Sequence, residues 1–443
     1  MRRTRGRKSH RERRTILVLA AIVCVLAVAV LWARSRDPEA LRPPPRPPEM
    51  QARTAAPENA YHVLGEALYL LPAENPMPKK YPVPGRPGLE AFYSTEVNSI
   101  ARELDIWAPD DGPEVAAYLE QCQPAIEKAK QALACPYFLI PQEAGQAKRA
   151  IGDPAFTTLL HASCRHAWEI RNDKQTALDL FFDAVRLCRL LRQDGAANEL
   201  SWIQSKEQNL WRQLADYVKE TGDPAILNHA LDRLMELEEP PPLDWNLILD
   251  AEWRSEWEYL ERMRAQGSLQ GPATLANVLR MRHERRMIRS IINKGGIWTQ
   301  TLSLPYPRFE EALGGNPGGP LAAAKDYGGC ESVWYRLWEA KLGQTCCAAM
   351  QRQLLLLALL ELHRLDKGQY PEALAGAAAG RLEMLPVDPF TEEQFQYNPL
   401  TPERLLVSPG PKTYPRSLFR PDLNWRAEIV NGVVGIQTTP KED

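Results

Sequence analysis

The densest cluster of metal-ligand side chains in the sequence is formed by His161, Cys164 and His166. Imidazole nitrogens and thiolates are common zinc ligands, and a zinc ion needs its ligands to converge on one point. On an α-helix His161 and Cys164 share a face, whereas His166 points about 140° away from His161. Because ligation by all three would require the helix to break, we interpret them as ordinary helical residues and predict no metal site.

Short catalytic motifs are absent from the sequence. It contains no HExxH zinc motif, no GxxxxGK[ST] phosphate loop, no GxSxG nucleophile turn and no dinucleotide fingerprint. The carboxylates Glu252, Glu256 and Glu258 have the spacing of a solvated helix. We therefore predict no catalytic, cofactor-binding or metal-binding residues, and an enzyme built from distant segments is the less favoured alternative.

The overall charge of the chain is close to balanced. Its 443 residues include 54 basic and 56 acidic side chains, which gives a net charge of -2. This balance argues against a body that binds nucleic acid. A hydrophobic content of 44% suffices for packed cores, and the length predicts two or more folding units.

The first 14 residues are strongly basic, with seven arginines and one lysine against a single glutamate. They precede an uncharged run, Ile16 to Ala33, which as a helix spans about 27 Å, close to the roughly 30 Å hydrocarbon core of a bilayer. The excess of basic residues before this run keeps the N-terminus cytoplasmic. We predict a basic cytoplasmic segment at 1–14 and a single-pass transmembrane signal-anchor at 15–33 in the inner (cytoplasmic) membrane, with an extracytoplasmic, periplasmic body.

A cleaved signal peptide is the alternative to this anchor. Ala27, Val28 and Ala29 fit the small-x-small pattern of a cleavage site. Val30, Leu31 and Trp32 continue the apolar run past that site, where a cleavable signal normally turns polar, so the anchor is favoured.

Cysteine usage does not describe a disulfide scaffold. One of the eight cysteines, Cys24, lies in the predicted membrane helix, and the odd number left in the body argues against full pairing. We interpret most of them as small buried hydrophobic residues. The seven body cysteines are Cys122, Cys135, Cys164, Cys188, Cys330, Cys346 and Cys347.

Composition divides the rest of the chain into four parts. Residues 34–58 contain the run PPPRPP and predict a semi-extended linker that holds the body away from the membrane. Residues 59–313 are apolar at helical spacing and predict a helical body. Residues 314–334 form a Gly/Pro hinge, and residues 335–443 form a separate C-terminal module.

The tetrapeptide Gly-Asp-Pro-Ala occurs twice, at 152–155 and 222–225. Gly can close a helix in the left-handed conformation, Asp can cap the next helix, and Pro suits its first position, so each copy predicts a corner between helices. The 70-residue period accommodates two helical hairpins, with helices predicted at 174–192 and 199–219. The body thus weakly resembles tetratricopeptide repeats, which implies stacked helix pairs; an irregular bundle is the alternative.

Two helices carry one kind of side chain along a face. The aromatic stripe could grip a partner helix or a sugar, but we interpret it as a buried face. The basic stripe could meet lipid head groups, but we interpret it as a solvated face. The first stripe comprises Trp245, Leu249, Trp253, Trp257 and Leu260, and the second Arg280, Arg282, Arg285, Arg286 and Arg289.

The C-terminal part begins with an apolar helix predicted over 347–366, which Gly368 ends in a left-handed conformation. Short strands follow, including a hairpin around Asn431 and Gly432. The order of helix, Asp-x-Gly-x-Tyr-Pro corner, Leu-Pro-x-Asp-Pro loop, Tyr-containing strand and Ser-x-Gly end resembles the periplasmic part of type II secretion major pseudopilins. The corresponding residues are Asp366, Gly368, Tyr370, Pro371, Leu385, Pro386, Asp388, Pro389, Tyr397, Ser408 and Gly410.

This resemblance covers about 70 residues and implies a small α+β module. The processing signal of pseudopilins is absent from residues 14–30, so the chain is not predicted to be a pilus subunit. Pro411 and Lys412 stand where the family has calcium-binding carboxylates, and we predict no calcium there. The whole layout resembles a set of uncharacterised single-pass bacterial envelope proteins, which implies an envelope location and no particular chemistry.

Together these features predict a mainly α protein, with an N-terminal transmembrane helix, a helical-hairpin array or bundle and a small α+β C-terminal module. Its expected partners are membrane lipid, through the N-terminal helix, and proteins of unknown identity. The favoured hypothesis is a membrane-anchored extracytoplasmic scaffold for protein interaction. The alternatives are an accessory component of a type II secretion or pilus-like assembly and a cell-envelope hydrolase.

Overall fold

The computed structural model describes eight stretches of the chain, and several predicted features lie outside them. These features are the basic segment, the transmembrane helix at 15–33, most of the Gly/Pro hinge and the hairpin around Asn431. The described stretches are 41–72, 79–82, 90–93, 112–141, 155–269, 275–314, 330–400 and 405–411.

The described chain is mainly α-helical, which confirms the predicted class. The N-terminal part contains α1 (Pro48–Ala55), α2 (Ala60–Leu68), α3 (Gly112–Gln131), α4 (Ala155–Arg165), α5 (Lys174–Leu191), α6 (Ala197–Glu220) and α7 (Pro224–Glu236). The C-terminal part contains α8 (Trp245–Leu269), α9 (Leu275–Leu302), α10 (Tyr306–Gly314), α11 (Cys330–Lys367) and α12 (Leu374–Ala378). Two antiparallel strand pairs complete it, β1 (Lys79–Pro82) with β2 (Glu90–Tyr93), and β3 (Gln396–Tyr397) with β4 (Leu406–Val407).

Side-chain caps fix where several helices begin. The Asp223 carboxylate accepts a hydrogen bond from the Ala225 backbone N–H at 2.9 Å, and Pro224 occupies the first helical position. These are the roles predicted for the second Gly-Asp-Pro-Ala corner. The predicted role of Gly222 is wrong, because its φ is not positive and the preceding helix ends in extended backbone at Thr221. The first copy is described only from Ala155, where α4 begins.

Helices α6 and α11 form the most extensive helix–helix contact in the described part of the chain, although they are distant in sequence. Gly343 of α11 faces Gln204 of α6, and a Cβ at position 343 would collide with the Gln204 side chain. The Gln204 amide donates to the Ala340 carbonyl at 2.8 Å. This close approach fixes the register between the two helices.

Helix α11 joins two apolar cores. Its C-terminal half packs in the larger core with Phe181, Phe182 and Trp211, and its N-terminal half packs with Trp298 and Phe309. Among the described residues it is the one helix long and apolar enough to cross a membrane, yet 83% of its most apolar stretch is buried inside the protein. We therefore treat α11 as a core helix.

The C-terminal corner also belongs to these cores. Phe395 and Leu405 are buried in the larger core, and Phe390 is buried in the smaller one. The described residues of the predicted C-terminal module, within 335–400 and 405–411, therefore share their apolar interior with the helical body. The predicted cap at Gly368 is confirmed, since its φ is +75° and its N–H donates to the Arg364 carbonyl at 2.8 Å.

The described part of the proline-rich segment is folded against the body, which corrects the prediction of a semi-extended spacer. Residues 48–55 form α1, and Arg46 is buried between the carboxylates of Asp194 at 3.1 Å and Asp250 at 3.2 Å. Leu41 is buried as well. The prediction failed because a high proline content indicates only that the local backbone is stiff. The contacts of Arg46 depend on Asp194 and Asp250, which lie far along the chain.

Candidate functional site

An open groove of about 590 Å³ lies between α3, the end of α4 and the start of α5. Its floor is apolar and its rim is polar, with charges of both signs. Such a surface can hold a ligand that is itself partly apolar and partly charged. Apolar lining comes from Ala116, Leu119, Ile126, Ala167 and Leu180, and polar lining from Glu120, Gln123, Glu127, Lys130, Ser163, His166, Arg171, Thr176 and Asp179.

One wall of the groove is a π-helix at His166–Ile170, which directly continues α4. The Arg171 N–H donates to the His166 carbonyl at 3.0 Å, the wide i to i+5 bond of this conformation. Asn172 follows with a positive φ of 52°, a conformation that asparagine tolerates better than most residues. Short π-helical insertions are frequent at functional sites, which draws attention to this wall.

The inner side of the π-helix is fixed by aromatic stacking. The Trp168 ring stacks on Tyr217 with centroids 4.0 Å apart and planes 11° apart, and the Lys174 ammonium lies 5.3 Å from the Trp168 ring centroid. Stacking of this kind contributes about 0.5 to 1.5 kcal/mol of stabilisation beyond that of burying the two rings. Because Trp168 is held inward, His166 and Arg171 are left on the groove side.

Charges of both signs line the rim. Arg171 is largely exposed and lies 4.0 Å from Asp173. Lys130 lies 3.8 Å from Glu127, and burial together with Arg171 holds the pKa of His166 below its usual value. Near neutral pH the rim therefore presents two cations, a neutral imidazole and the carboxylates of Glu120, Glu127 and Asp179.

The structure does not bring His161, Cys164 and His166 together around one point. His161 contacts the Gln213 side chain, Cys164 is buried, and His166 lines the groove. The α-helical conformation of α4 does end at His166, but the chain continues as a π-helix and does not turn back towards His161 and Cys164. Within the described stretches no three His, Cys, Asp or Glu side chains are grouped so that they could hold a metal ion.

The six cysteines whose side chains are described carry free thiols, and most of them are buried. Burial raises the pKa of Cys122 to about 11 and the pKa of Cys346 to about 12. Thiols in this state are poor nucleophiles at neutral pH. For these residues the interpretation as small hydrophobic side chains is confirmed, with Cys135 only partly buried.

The solvated interpretation of the α8 carboxylates is correct for Glu258 and wrong for Glu252 and Glu256, which are buried. The Arg336 guanidinium of α11 lies 2.8 Å from Glu252 and 2.6 Å from Glu256. Burial raises the pKa of Glu252, although Arg336 opposes that rise. The sequence holds no local signal of this, because Arg336 lies on a helix 80 residues away.

A second buried charge cluster joins α5, α6 and α11. Glu207 has no exposed surface and lies 3.2 Å from Arg189 and 2.9 Å from Arg192. Arg189 also donates to the Gln351 side chain at 2.7 Å, and Gln351 in turn donates to the Leu237 carbonyl at 2.9 Å. Sequence reasoning missed this cluster, and its burial makes it a packing element and not a binding surface.

Residues of the pseudopilin-like pattern contact one another in the C-terminal corner. The Ser408 hydroxyl donates to the buried Asp388 carboxylate at 2.7 Å, and the Tyr397 hydroxyl donates to the Pro371 carbonyl at 2.6 Å. The Tyr370 hydroxyl donates to Glu361 at 2.6 Å. Burial raises the pKa of Asp388. These contacts hold the corner against the end of α11.

Comparisons with protein families, with curated proteins and with solved structures found no match. The resemblances to pseudopilins, to tetratricopeptide repeats and to envelope proteins therefore stay predictions.

Proposed function

We propose that the protein is a single-pass membrane scaffold whose helical body, outside the cytoplasm, binds a segment of another protein. The anchor is the predicted helix at 15–33. The observation that carries the proposal is the open groove between α3, α4 and α5, with its apolar floor and its rim of both charges.

The dimensions and chemistry of the groove favour a peptide segment. Its wall on α3 runs from Ala116 to Lys130, which is about 21 Å of helix. That length matches about six extended residues or four turns of a partner helix. Glu120 and Glu127 on one wall and Arg171 on another would pair with a segment that carries both signs, while Leu119 and Ile126 would contact its apolar side.

Site-specific photo-crosslinking tests this surface. A photoreactive residue at Gln123, which lines the groove, should capture one protein repeatedly from intact membranes, whereas the same residue at the exposed position Trp202 on α6 should not. Arg171→Glu should abolish the capture, and the matched reversal Lys367→Glu, at another exposed site, should leave it unchanged. Equal capture at both positions, or capture that survives Arg171→Glu, contradicts the proposal.

The anchor has a separate test. The full chain should stay with membranes after alkaline extraction, and protease added to cells with a permeabilised outer envelope should digest the body. Release of the chain by alkali, or a mature N-terminus directly after Ala29, contradicts the anchored arrangement.

A second candidate function, an accessory role in a type II secretion or pilus-like assembly, has one observation in its favour. The corner that carries the pseudopilin-like pattern exposes two large apolar side chains, Met384 at 84% and Leu400 at 90%. Deleting 335–443 would not test this, because it removes most of the core helix α11. Met384→Asp with Leu400→Asp should impair export of secreted enzymes while Trp202→Gln does not, and normal export in the double variant would exclude the role. No observation on the described residues favours the hydrolase alternative.

A further inference from the structure

The body has a fixed attachment point immediately after the predicted membrane helix. Leu41 packs with Leu260 of α8 and Ile288 of α9, and the Trp253 indole N–H donates to the Leu41 carbonyl at 2.8 Å. Five residues later, Arg46 is held by Asp194 and Asp250. The chain therefore reaches the body at the surface formed by α8 and α9.

The distance from the membrane to this surface is bounded by chain length. The predicted helix ends at Ala33, and seven residues lie between it and Leu41, so the connection of eight Cα-to-Cα steps spans at most about 29 Å. This step rests on the proposed membrane anchor. Given that anchor, the surface of α8 and α9 around Leu41 is held within about 29 Å of the end of the membrane helix, close enough to reach the lipid.

Helix α9 has the composition of an interfacial helix. Residues 275–302 include six basic side chains and one acidic side chain. Arg289 is exposed, and so are Ile292 at 41% and Ile297 at 59%. Backbone positions 282 and 286, both arginines, fall on the same helical face as 289. Arg285 is buried and does not belong to this face.

We propose that the exposed face of α9 is a second membrane contact, which binds the head groups of anionic phospholipids. The exposed Arg289 next to the exposed Ile292 and Ile297 matches the polar and apolar layers at a bilayer surface, and the sequence adds two more arginines at positions of the same helical face. Attraction of arginine to an anionic surface acts only within about a Debye length, so the short tether at Leu41 is what makes the contact possible. This assigns a function to a basic stripe that the sequence alone predicts to be a solvated face.

The test uses the full chain reconstituted in lipid nanodiscs. A fluorescent probe is attached at Asn293→Cys on the exposed face of α9, or at Leu400→Cys in the C-terminal corner, after Cys24, Cys135 and Cys330 are replaced by serine. Lipids with a spin-labelled head group quench probes near the bilayer surface. We expect stronger quenching at 293 than at 400, and stronger quenching at 293 with phosphatidylglycerol than with phosphatidylcholine alone.

Two double variants that each remove two positive charges show whether the quenching depends on the arginines of α9. Arg286→Gln with Arg289→Gln should remove the extra quenching caused by phosphatidylglycerol, whereas Lys367→Gln with Arg381→Gln should not. Equal quenching at 293 and 400, or no difference between the two lipids, overturns the proposal. Failure of the anchor would be recognised separately, because the chain would then be released from membranes by alkali.

Discussion

Glu207 has no exposed surface and is neutralised only by charges that the fold brings to it, the guanidinium groups of Arg189 and Arg192. Removing one partner of such a buried group leaves the others without compensation and costs about 3 to 5 kcal/mol. We therefore expect Glu207→Gln to lower the free energy of unfolding by that amount in urea denaturation.

The control for this prediction is Glu236→Gln, which removes a carboxylate 3.1 Å from Arg233 near the surface. Exposed pairs contribute about 1 kcal/mol or less, so this variant should unfold almost like the original protein. A Glu207→Gln protein as stable as the Glu236→Gln protein would show that the cluster is not buried as described.

Lys341 of α11 provides a pH-dependent prediction. Burial lowers the pKa of Lys341 to about 8, below its value in the unfolded chain. The stability penalty is therefore complete below about pH 8 and fades as the pH rises towards about 10.4, where lysine is neutral in the unfolded chain too. Lys341→Met should raise the free energy of unfolding at neutral pH by about 1 to 3 kcal/mol.

Urea denaturation of the original protein and the Lys341→Met variant at about pH 7 and about pH 10 checks this sign. The gain from the substitution should be large at the lower pH and small at the higher one. An equal gain at both would mean that it comes from added apolar contact and not from the lost charge.

Residues whose role depends on near neighbours could be predicted from the sequence, and residues whose role depends on distant partners could not. The caps at Asp223 and Gly368 follow from positions within four residues along the chain. The burial of Glu252 depends on Arg336, and the interior position of Arg46 depends on Asp194 and Asp250. Charged residues at helical spacing give the same sequence pattern whether they are solvated or are buried against an oppositely charged residue from a distant part of the chain.

At the scale of elements, two glycines test the difference between a left-handed cap and an ordinary bend. Gly368 has a φ of +75°, where a side chain is strained, so Gly368→Ala should cost about 1 to 2 kcal/mol. Gly222 has no positive φ, and a Cβ there would meet nothing within 4 Å. Gly222→Ala should therefore be neutral, or stabilising by up to about 1 kcal/mol.

Thermal and urea unfolding of both glycine variants gives the comparison. A large loss of unfolding free energy in Gly222→Ala would indicate that Gly222 does adopt a left-handed conformation, as the sequence predicts. An unchanged unfolding free energy in Gly368→Ala would contradict the left-handed cap at the end of α11.

Most helices, but not the groove between them, could be predicted from apolar spacing. The helices predicted at 174–192 and 199–219 agree with α5 and α6 to within two residues. Helix α11 begins 17 residues before the predicted start at 347, because charged residues such as Arg336 interrupt its apolar pattern. The groove depends on how α3, α4 and α5 pack and on a π-helical wall, and neither is visible in spacing alone.

At the scale of the whole molecule, Arg46 tests whether the proline-rich segment is part of the body. Arg46→Gln would leave Asp194 buried without its cation, so we expect a loss of about 3 to 5 kcal/mol in stability. The segment should also become accessible, with new tryptic cleavage after Arg53 under native conditions. Arg42→Gln, at an exposed position, should change neither result.

The predicted division into a helical body and a separate C-terminal module rested on a change of composition at the hinge. Composition marks where regular structure stops, but it does not show what packs against what. Helix α11 begins at Cys330, inside the predicted hinge, and its residues pack in both apolar cores. Limited proteolysis in the hinge should therefore leave two fragments that stay associated until denaturant is added.

The pairing of α6 with α11 also delays folding during translation, because α6 is synthesised well before its partner helix. Roughly a hundred residues separate the two helices, so at about 5 to 20 residues per second the nascent chain waits on the order of 10 s before α6 can meet its partner. During that interval the face of α6 that packs on α11 has no partner surface to cover it, although Trp211 can already contact Phe181 of α5. The emerging polypeptide should consequently be a client of chaperones, and messages truncated before codon 330 should yield protein that aggregates.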